Sequence, residues 1–494
     1  MRAVIVGCVS FLVGLLVFGV FPRAAPAQTV GTPGRFVVVF ASATIPPGAQ
    51  RLIESAGGAV VEAFPEVGIA VAVSDSVSFA ARVGQSAMVE SVGEERTRPL
   101  PTETIGAIEP DAVGPVPCTD SAPCDRFYPL QWNIRRVRAD AAWAVTTGSS
   151  DVVVAVIDNG VASNHPDLAP NLNSSQCFES AWSVGTMVRQ CSRLYPEILF
   201  PEGSHGTLVA GIIAAAFGHG RVVGVGPNLK LASYNVFELD PTTGQHVAFE
   251  SSIWAAMMDA AQPDPITGRP KARVINLSLG DLILRPQDNA LWKAWNRVAE
   301  FVTRRGVTIV ASAGNGNVDL NGPAAHVPSD LPSVIGVGAT VIRPRPEFPQ
   351  VGAFDLRAFY GNFGAALTLV APGGDCGPNN PECSPSPPAL LPGDGRYLVV
   401  SSAVNPGFVV RGGHLVFDPT CITSGTCAIG YASSAGTSFA APHVTGVVGL
   451  ILSQNPGLNP HQVAAILKRT AQPLGDRQQF GHGMVDAAAA VGAP

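Results

Sequence analysis

A chain of 494 residues is too long for one small domain and points to two or three units. Only 14 % of its residues are charged, against about 25 % in an average soluble domain, and 53 glycines and 43 prolines add many turns. This is a tightly folded, loop-rich protein, not a disordered one, and a net charge of −6 without a long basic run argues against nucleic acid as a partner.

The N-terminus reads Met1-Arg2, then an apolar run from Ala3 to Phe21, then Ala25-Pro26-Ala27 before Gln28. That order describes a secretory signal peptide over residues 1–27. An uncleaved anchor is the alternative, since the run is long enough to span a membrane. Ile5-Val6-Gly7-Cys8 has the look of a lipoprotein box, but the apolar stretch before Cys8 is too short for one. No later apolar run reaches about 18 residues, so no second span is expected.

Arg35 to Phe40 reads as a strand, Ala49 to Gly57 as a short helix, and Ala59 to Phe64 and Gly68 to Val73 as two strands. Ser76 to Val83 is helical in pattern and Met88 to Val92 is a last strand. The order β-α-β-β-α-β describes a ferredoxin-like unit over about residues 35–97. Thr97 to Pro117 is rich in proline, glutamate and small residues and has no hydrophobic period. It reads as an exposed, mobile linker.

From Leu130 onward the pattern changes. Fully apolar strands at Val152–Ile157, Leu229–Tyr234, Val274–Leu279, Val307–Ala311 and Val334–Val337 alternate with helical segments. The helices are expected at His205–Phe217, Glu250–Ala261, Asn289–Arg304, Ser438–Gln454 and Asn459–Thr470. That alternation implies an α/β fold, a mainly parallel sheet between helices. Nine cysteines are present, and Cys8 lies in the signal segment. The other eight fall in close pairs, Cys118/Cys124, Cys177/Cys191, Cys376/Cys383 and Cys421/Cys427. Local pairing closes four small loops, though spacing does not prove that connectivity. No Cys-x-x-Cys or His pairing supports a metal site instead.

Three segments carry the chemistry. Val152-Val153-Val154-Ala155-Val156-Ile157-Asp158 is a buried-strand run ending on a carboxylate, which is costly there without a task. His205-Gly206-Thr207-Leu208-Val209-Ala210-Gly211 opens a helix with a histidine, and Ser434-Ala435-Gly436-Thr437-Ser438-Phe439-Ala440-Ala441-Pro442-His443 sets a serine at the start of another. A helix N-terminus favours the negative charge that attack by Ser438 creates. Ala440 stands where a Gly-x-Ser-x-Gly elbow has its second glycine, which argues against an α/β-hydrolase. His205 is the candidate base, and Asp158 the group that orients it. His443 lies about one and a half helical turns beyond Ser438 and should face elsewhere. His165 and His443 read as packing residues.

The order Asp158, His205, Ser438 and these motifs resemble the subtilisin-like serine proteases, the subtilases, over roughly residues 128 to 490. The resemblance implies a secreted serine endopeptidase, a monomer working through an acyl-enzyme on proteins or peptides, without an organic cofactor. It implies a peptidase domain over 118–494; the Pro/Gly-rich stretch at about 374–432, with four of the cysteines, is longer than the family's corresponding loop and reads as a disulfide-clamped insertion near the active site. Residues 28–117 then comprise a propeptide, acting as folding aid and inhibitor, and its linker, with cleavage in the linker or just before Cys118. An accessory binding domain is the alternative for that unit. Asn315, in Ala311-Ser312-Ala313-Gly314-Asn315, resembles the family's oxyanion donor. Ser278-Leu279-Gly280 and Ala313-Gly314 resemble the walls of the substrate cleft. His326 falls where a pocket-floor glycine is usual, which implies a smaller or more polar pocket; a solvent-facing loop histidine is the alternative. Asn159 stands where the family usually has Ser or Thr. Asp167 matches a carboxylate ligand of a calcium site found in many subtilases, but Gly218 falls where an asparagine ligand is frequent. That site therefore lacks a side-chain oxygen, and the reading assigns no metal, with calcium there as the alternative. A catalytically silent scaffold of the same fold is the competing reading, opposed by the intact Asp158, His205, Ser438 and Asn315.

Overall fold

In the computed structural model the described residues are 34–100, 105–107, 125–179, 205–219, 221–240, 244–344, 353–374, 398–404, 408–411, 414–417 and 429–493. The N-terminal stretch, most of the 374–432 stretch and all the cysteine pairings fall outside them. Cys177 is described only as part of a strand.

Residues 34–94 form a small unit around the apolar strand Gly34–Phe40. Its antiparallel sheet runs in the order Gly58–Phe64, Ile69–Ser74, Gly34–Phe40, Val89–Glu94. Successive strand side chains point to opposite faces. Val38 and Phe40 therefore meet the helices Ala49–Ser55 and Phe79–Gly84 through Ile53, Phe79 and Val83. Val37, Val39, Ile69 and Val71 point the other way, and with Phe64 join a core that contains Trp254 and Trp295. One face of the sheet is covered by its own helices. The other is covered by Glu250–Ala260 and Asn289–Arg304 of the large unit.

The large unit is an eight-stranded sheet. In spatial order it contains Ala353–Arg357, Val334–Pro344, Thr308–Ser312, Val274–Leu277, Val153–Asp158, Lys230–Asn235 and Leu172–Glu179, with Leu369–Pro372 also beside Val334–Pro344. Every pairing in it is parallel except that of Ala353–Arg357. Buried on both faces, these strands need the continuous Val/Ile/Ala runs they have. Helices His205–Ala214 and Thr437–Gln454 pack one face, and Glu250–Ala260 and Asn289–Arg304 the other.

The sequence reading of Thr97–Pro117 as exposed linker is corrected for its described residues, 97–100 and 105–107. Thr97–Pro99 is a strand paired antiparallel with His246–Phe249, and Ile105–Ala107 is paired antiparallel with Ala432–Ser434. Arg98 and Leu100 are buried, 2 % and 3 % exposed. Edge pairing uses backbone groups alone, which no hydrophobic period can announce.

Candidate active site

The central strand Val153–Asp158 ends on its carboxylate at the C-terminal edge of the sheet, where open α/β sheets hold ligands. Asp158 is fully buried and accepts from the Asn159 N–H at 2.8 Å. Its two oxygens lie 2.8 and 2.9 Å from His205 Nδ1. The approach depends on Gly206. A Cβ there would lie 2.1 Å from the Gly160 carbonyl oxygen and 3.2 Å from Asp158 Cβ, so any side chain would push the histidine helix away. The Gly206 N–H donates to Asn159 Oδ1 at 2.8 Å. Asn159 thus satisfies one of the open N–H groups at the start of that helix.

Ser438 is the second residue of the helix Thr437–Gln454 and is buried. Pro442 lies four residues on and has no N–H for the Ser438 carbonyl. The Ser278 hydroxyl donates to that carbonyl instead, at 2.6 Å. Ser278 in turn accepts from Asn276 Nδ2 at 2.9 Å, and Asn276 Oδ1 accepts from Thr445 Oγ1 at 2.7 Å. A buried chain of polar groups therefore ties the serine turn to the adjacent strand. Phe439 is buried, and its ring centroid lies 5.6 Å from that of His205, which brings the two helix starts together.

Asn315 follows the strand Thr308–Ser312. Its Oδ1 accepts from the Thr437 N–H at 2.9 Å and from Thr437 Oγ1 at 2.7 Å. With the oxygen so held, the amide group's donor end is set relative to the neighbouring Ser438. Asn362 braces the same loop, donating to Ala313 O at 2.8 Å and accepting from the Gly316 and Val318 N–H groups. Asn362 did not stand out in the sequence, and Thr437 did so only as a flank of Ser438.

A cavity of about 260 Å³ contains Ser438, Asn315, Leu279 and Gly280 in its lining, together with Arg98 and Leu100. Ser278 and Gly314 also line it, whereas Ala313 does not: Ser312 and Gly314 face the cavity, and Ala313 is buried between them. His326 lines it too and is no loop residue. It lies in the strand Ala324–Val327, is 5 % exposed, and its Nδ1 is 3.0 Å from Ser329 Oγ. Its imidazole fills the space between two glycines: a Cβ on Gly280 would lie 2.2 Å from its Cε1, and one on Gly314 2.6 Å from its Cδ2. Burial, with the Arg98 charge beside it, pushes its pKa down to about 3, so the ring is neutral.

The other histidines read as packing residues are placed so. His443 is fully buried, with Nδ1 2.8 Å from Phe439 O and Nε2 2.8 Å from Asn133 Nδ2. His165 Nε2 lies 3.1 Å from Gly430 O. Burial depresses each to a pKa of about 4.

Asp167 is fully buried. Its oxygens accept from the Arg221 N–H at 3.1 Å and from Ser402 Oγ at 3.2 Å. Burial, with Asp125 nearby, raises it to about 7; Asp125, raised to about 6 by burial, accepts from the Gly218 N–H at 3.1 Å. Two carboxylates held by hydrogen bonds are a thin donor set for calcium. Among the described residues no group of three metal-type side chains converges.

Comparison with known proteins adds to this geometry. The family described as Peptidase_S8, the subtilase family, matches residues 149–483. Subtilisin BL from Lederbergia lenta is 29 % identical over 364 residues, 73 % of this chain and 98 % of that protein. An alkaline protease from Alkalihalobacillus alcalophilus is 28 % identical over 394 residues, 79 % of this chain and 78 % of that one. Among solved structures, fervidolysin from Fervidobacterium pennivorans, a keratinolytic enzyme related to subtilisin, has a TM-score of 0.63 at 21 % identity, covering 94 % of this chain and 61 % of that one. The epidermin leader peptide processing serine protease of Staphylococcus aureus has a TM-score of 0.63 at 19 % identity, covering 93 % and 98 %. At such identities the structural likeness speaks for the fold.

Proposed function

The chain belongs to the subtilase family and is a serine endopeptidase; from that premise we propose that Ser438 attacks the scissile carbonyl, that His205 takes its proton and returns it to the leaving amine, and that Asp158 holds the imidazole. The observation that carries the reading is the buried Asp158 carboxylate, 2.8 Å from His205 Nδ1, which fixes the ring's tautomer and stabilises the imidazolium. Asn315, with the Ser438 N–H, is the oxyanion donor pair. The protein is exported, acts on proteins or peptides as a monomer, and needs no organic cofactor.

The residues up to Leu100 act as a propeptide, and the strand Ile105–Ala107 follows on the far side of the cut. Before the cut the chain pairs by backbone with His246–Phe249 and after it with Ala432–Ser434, which leads into Ser438. A peptide substrate binds to a cleft in the same way, as an added strand. The bond cut in maturation therefore lies between Leu100 and Ile105. N-terminal sequencing and intact mass of the purified protein test this, and a mature chain beginning near Cys118 would move the site.

His326 limits the pocket for the side chain before the cut. His326→Gly is expected to raise kcat/KM about tenfold for peptides with a large aromatic there and to leave alanine peptides within a factor of about two. A wild-type enzyme that already prefers large aromatics would overturn this.

Release of the propeptide is expected to depend on pH through Glu62. This half-buried carboxyl faces Ser251 and Glu238 of the large unit and Arg35 and Glu95 of its own. Burial first, then Glu95 and Glu238, raise it to about 7, against the lowering effect of the Ser251 hydroxyl and Arg35. A carboxyl raised in the docked state supports docking fully below its free pKa of about 4.5, and that support is lost as pH rises through about 7. The processed complex should gain activity on dilution about tenfold faster at pH 8 than at pH 5. Glu62→Gln should flatten the profile.

A further inference from the structure

Arg98 enters the cleft as part of the strand Thr97–Pro99, whose pairing with His246–Phe249 is made by backbone groups that any extended peptide offers. Its side chain makes contacts that few peptides could. The guanidinium donates from Nη2 to Glu250 Oε1 at 2.5 Å and from Nη1 toward the Val327 carbonyl at 3.5 Å, and lies 5.5 Å from the centre of the Trp295 ring. The other Glu250 oxygen accepts from Trp295 Nε1 at 2.6 Å. Arg98 is 2 % exposed and Glu250 is fully buried.

A carboxylate at such depth is costly unless a cation meets it. Burial pushes the Glu250 carboxyl up, and Arg98 is the strongest influence opposing that. Once the segment 97–100 leaves, Glu250 keeps Trp295 as its hydrogen-bond donor and loses its counter-charge. The vacated slot opens on the cavity that Ser438 lines. Arg96, two residues earlier, makes a contrast. Its pair with Asp288 at 2.6 Å lies at a part-exposed rim, where ion pairs contribute little. Discrimination therefore resides in the Arg98 slot.

Resting on the endopeptidase reading above, we propose that Glu250, Trp295 and the Val327 carbonyl form an arginine-selective subsite, and that substrates carry arginine at the place Arg98 holds, two residues before the place of Leu100. Arginine fits better than lysine, because its planar head can give one donor to Glu250 and a second to Val327 while lying beside the Trp295 ring. The subsite makes the enzyme a selective processor of basic segments. Its own propeptide tail is its first substrate.

The test uses the autoprocessed enzyme and quenched fluorescent peptides of residues 95–107, with Arg98 retained or replaced by Lys or Leu, and casein as a general substrate. The expected kcat/KM is about 100-fold lower for the Leu peptide and about tenfold lower for the Lys peptide. Glu250→Gln enzyme should prefer the Arg peptide over the Leu peptide by less than about threefold. If that variant does not fold, the wild-type series decides alone. Casein hydrolysis with the Arg and Leu peptides cut within threefold of each other overturns the subsite and leaves the endopeptidase reading standing. Casein hydrolysis with no peptide cut also overturns it. No hydrolysis of casein or of any peptide overturns the endopeptidase reading, and the subsite with it.

Discussion

Ser438→Ala is expected to lower kcat by about 10⁶ and to leave the chain uncut between Leu100 and Ile105; in the related subtilisin, loss of the triad serine costs about that much. The substitution removes one buried oxygen and little else. The Ser438 carbonyl, which Ser278 holds, is backbone and stays, so the serine turn keeps its place. The melting temperature should therefore move by only a few degrees while activity disappears. Intact mass makes the comparison direct, wild type shortened and the variant retaining its tail. If both chains stayed full length alike, Ser438 would not be cutting its own tail, and the scaffold reading would rise above the enzyme.

Asp158→Asn is the second large effect, a fall in kcat of about 10⁴ at neutral pH. Asparagine fills the same buried space and can still accept from the Asn159 N–H, but it brings a donor into a site built for an acceptor. Facing His205 Nδ1 at under 3 Å, the amide can stabilise neither the correct tautomer nor the imidazolium that forms as Ser438 gives up its proton. Steady-state kcat on a peptide substrate is the measurement. A loss of less than tenfold would mean that His205 is oriented by something other than Asp158.

Much of the large unit was legible because a doubly covered parallel sheet demands continuous apolar strands and periodic helices. The helix expected at Asn289–Arg304 has those same bounds. The histidine helix ends at Ala214 instead of Phe217, where the backbone leaves the helix toward Gly218 at a positive φ of 65°. The candidate catalytic residues were legible from local context, a polar group at the end of an apolar strand or the start of an apolar helix. The tail in the cleft was not. Thr97–Pro99 pairs with residues nearly 150 positions away through backbone alone. Glu250 gave no signal because an acid in the first turn of a helix already has an ordinary reason to be there. Its partner Arg98, 152 residues earlier, is visible only once the chain is folded. Ala313 was assigned to a wall through its resemblance to the family's cleft segment, yet it is fully buried and does not line the cavity.

The two-faced sheet of the small unit bears on whether activation can be undone. Val37, Val39, Phe64, Ile69 and Val71 are sealed only against the large unit. In a detached unit the large unit's cover is gone from that face, so those side chains contribute much less to holding its shape. What is left is one small cluster around Phe40, Ile53 and Phe79 in a unit of about 60 residues, near the lower limit of independent stability. Departure and collapse thus become a single event. On the propeptide reading proposed above, an unravelled chain would have to refold against the large unit in order to re-dock, and meanwhile would be open to the enzyme it once blocked, which biases the switch toward staying on.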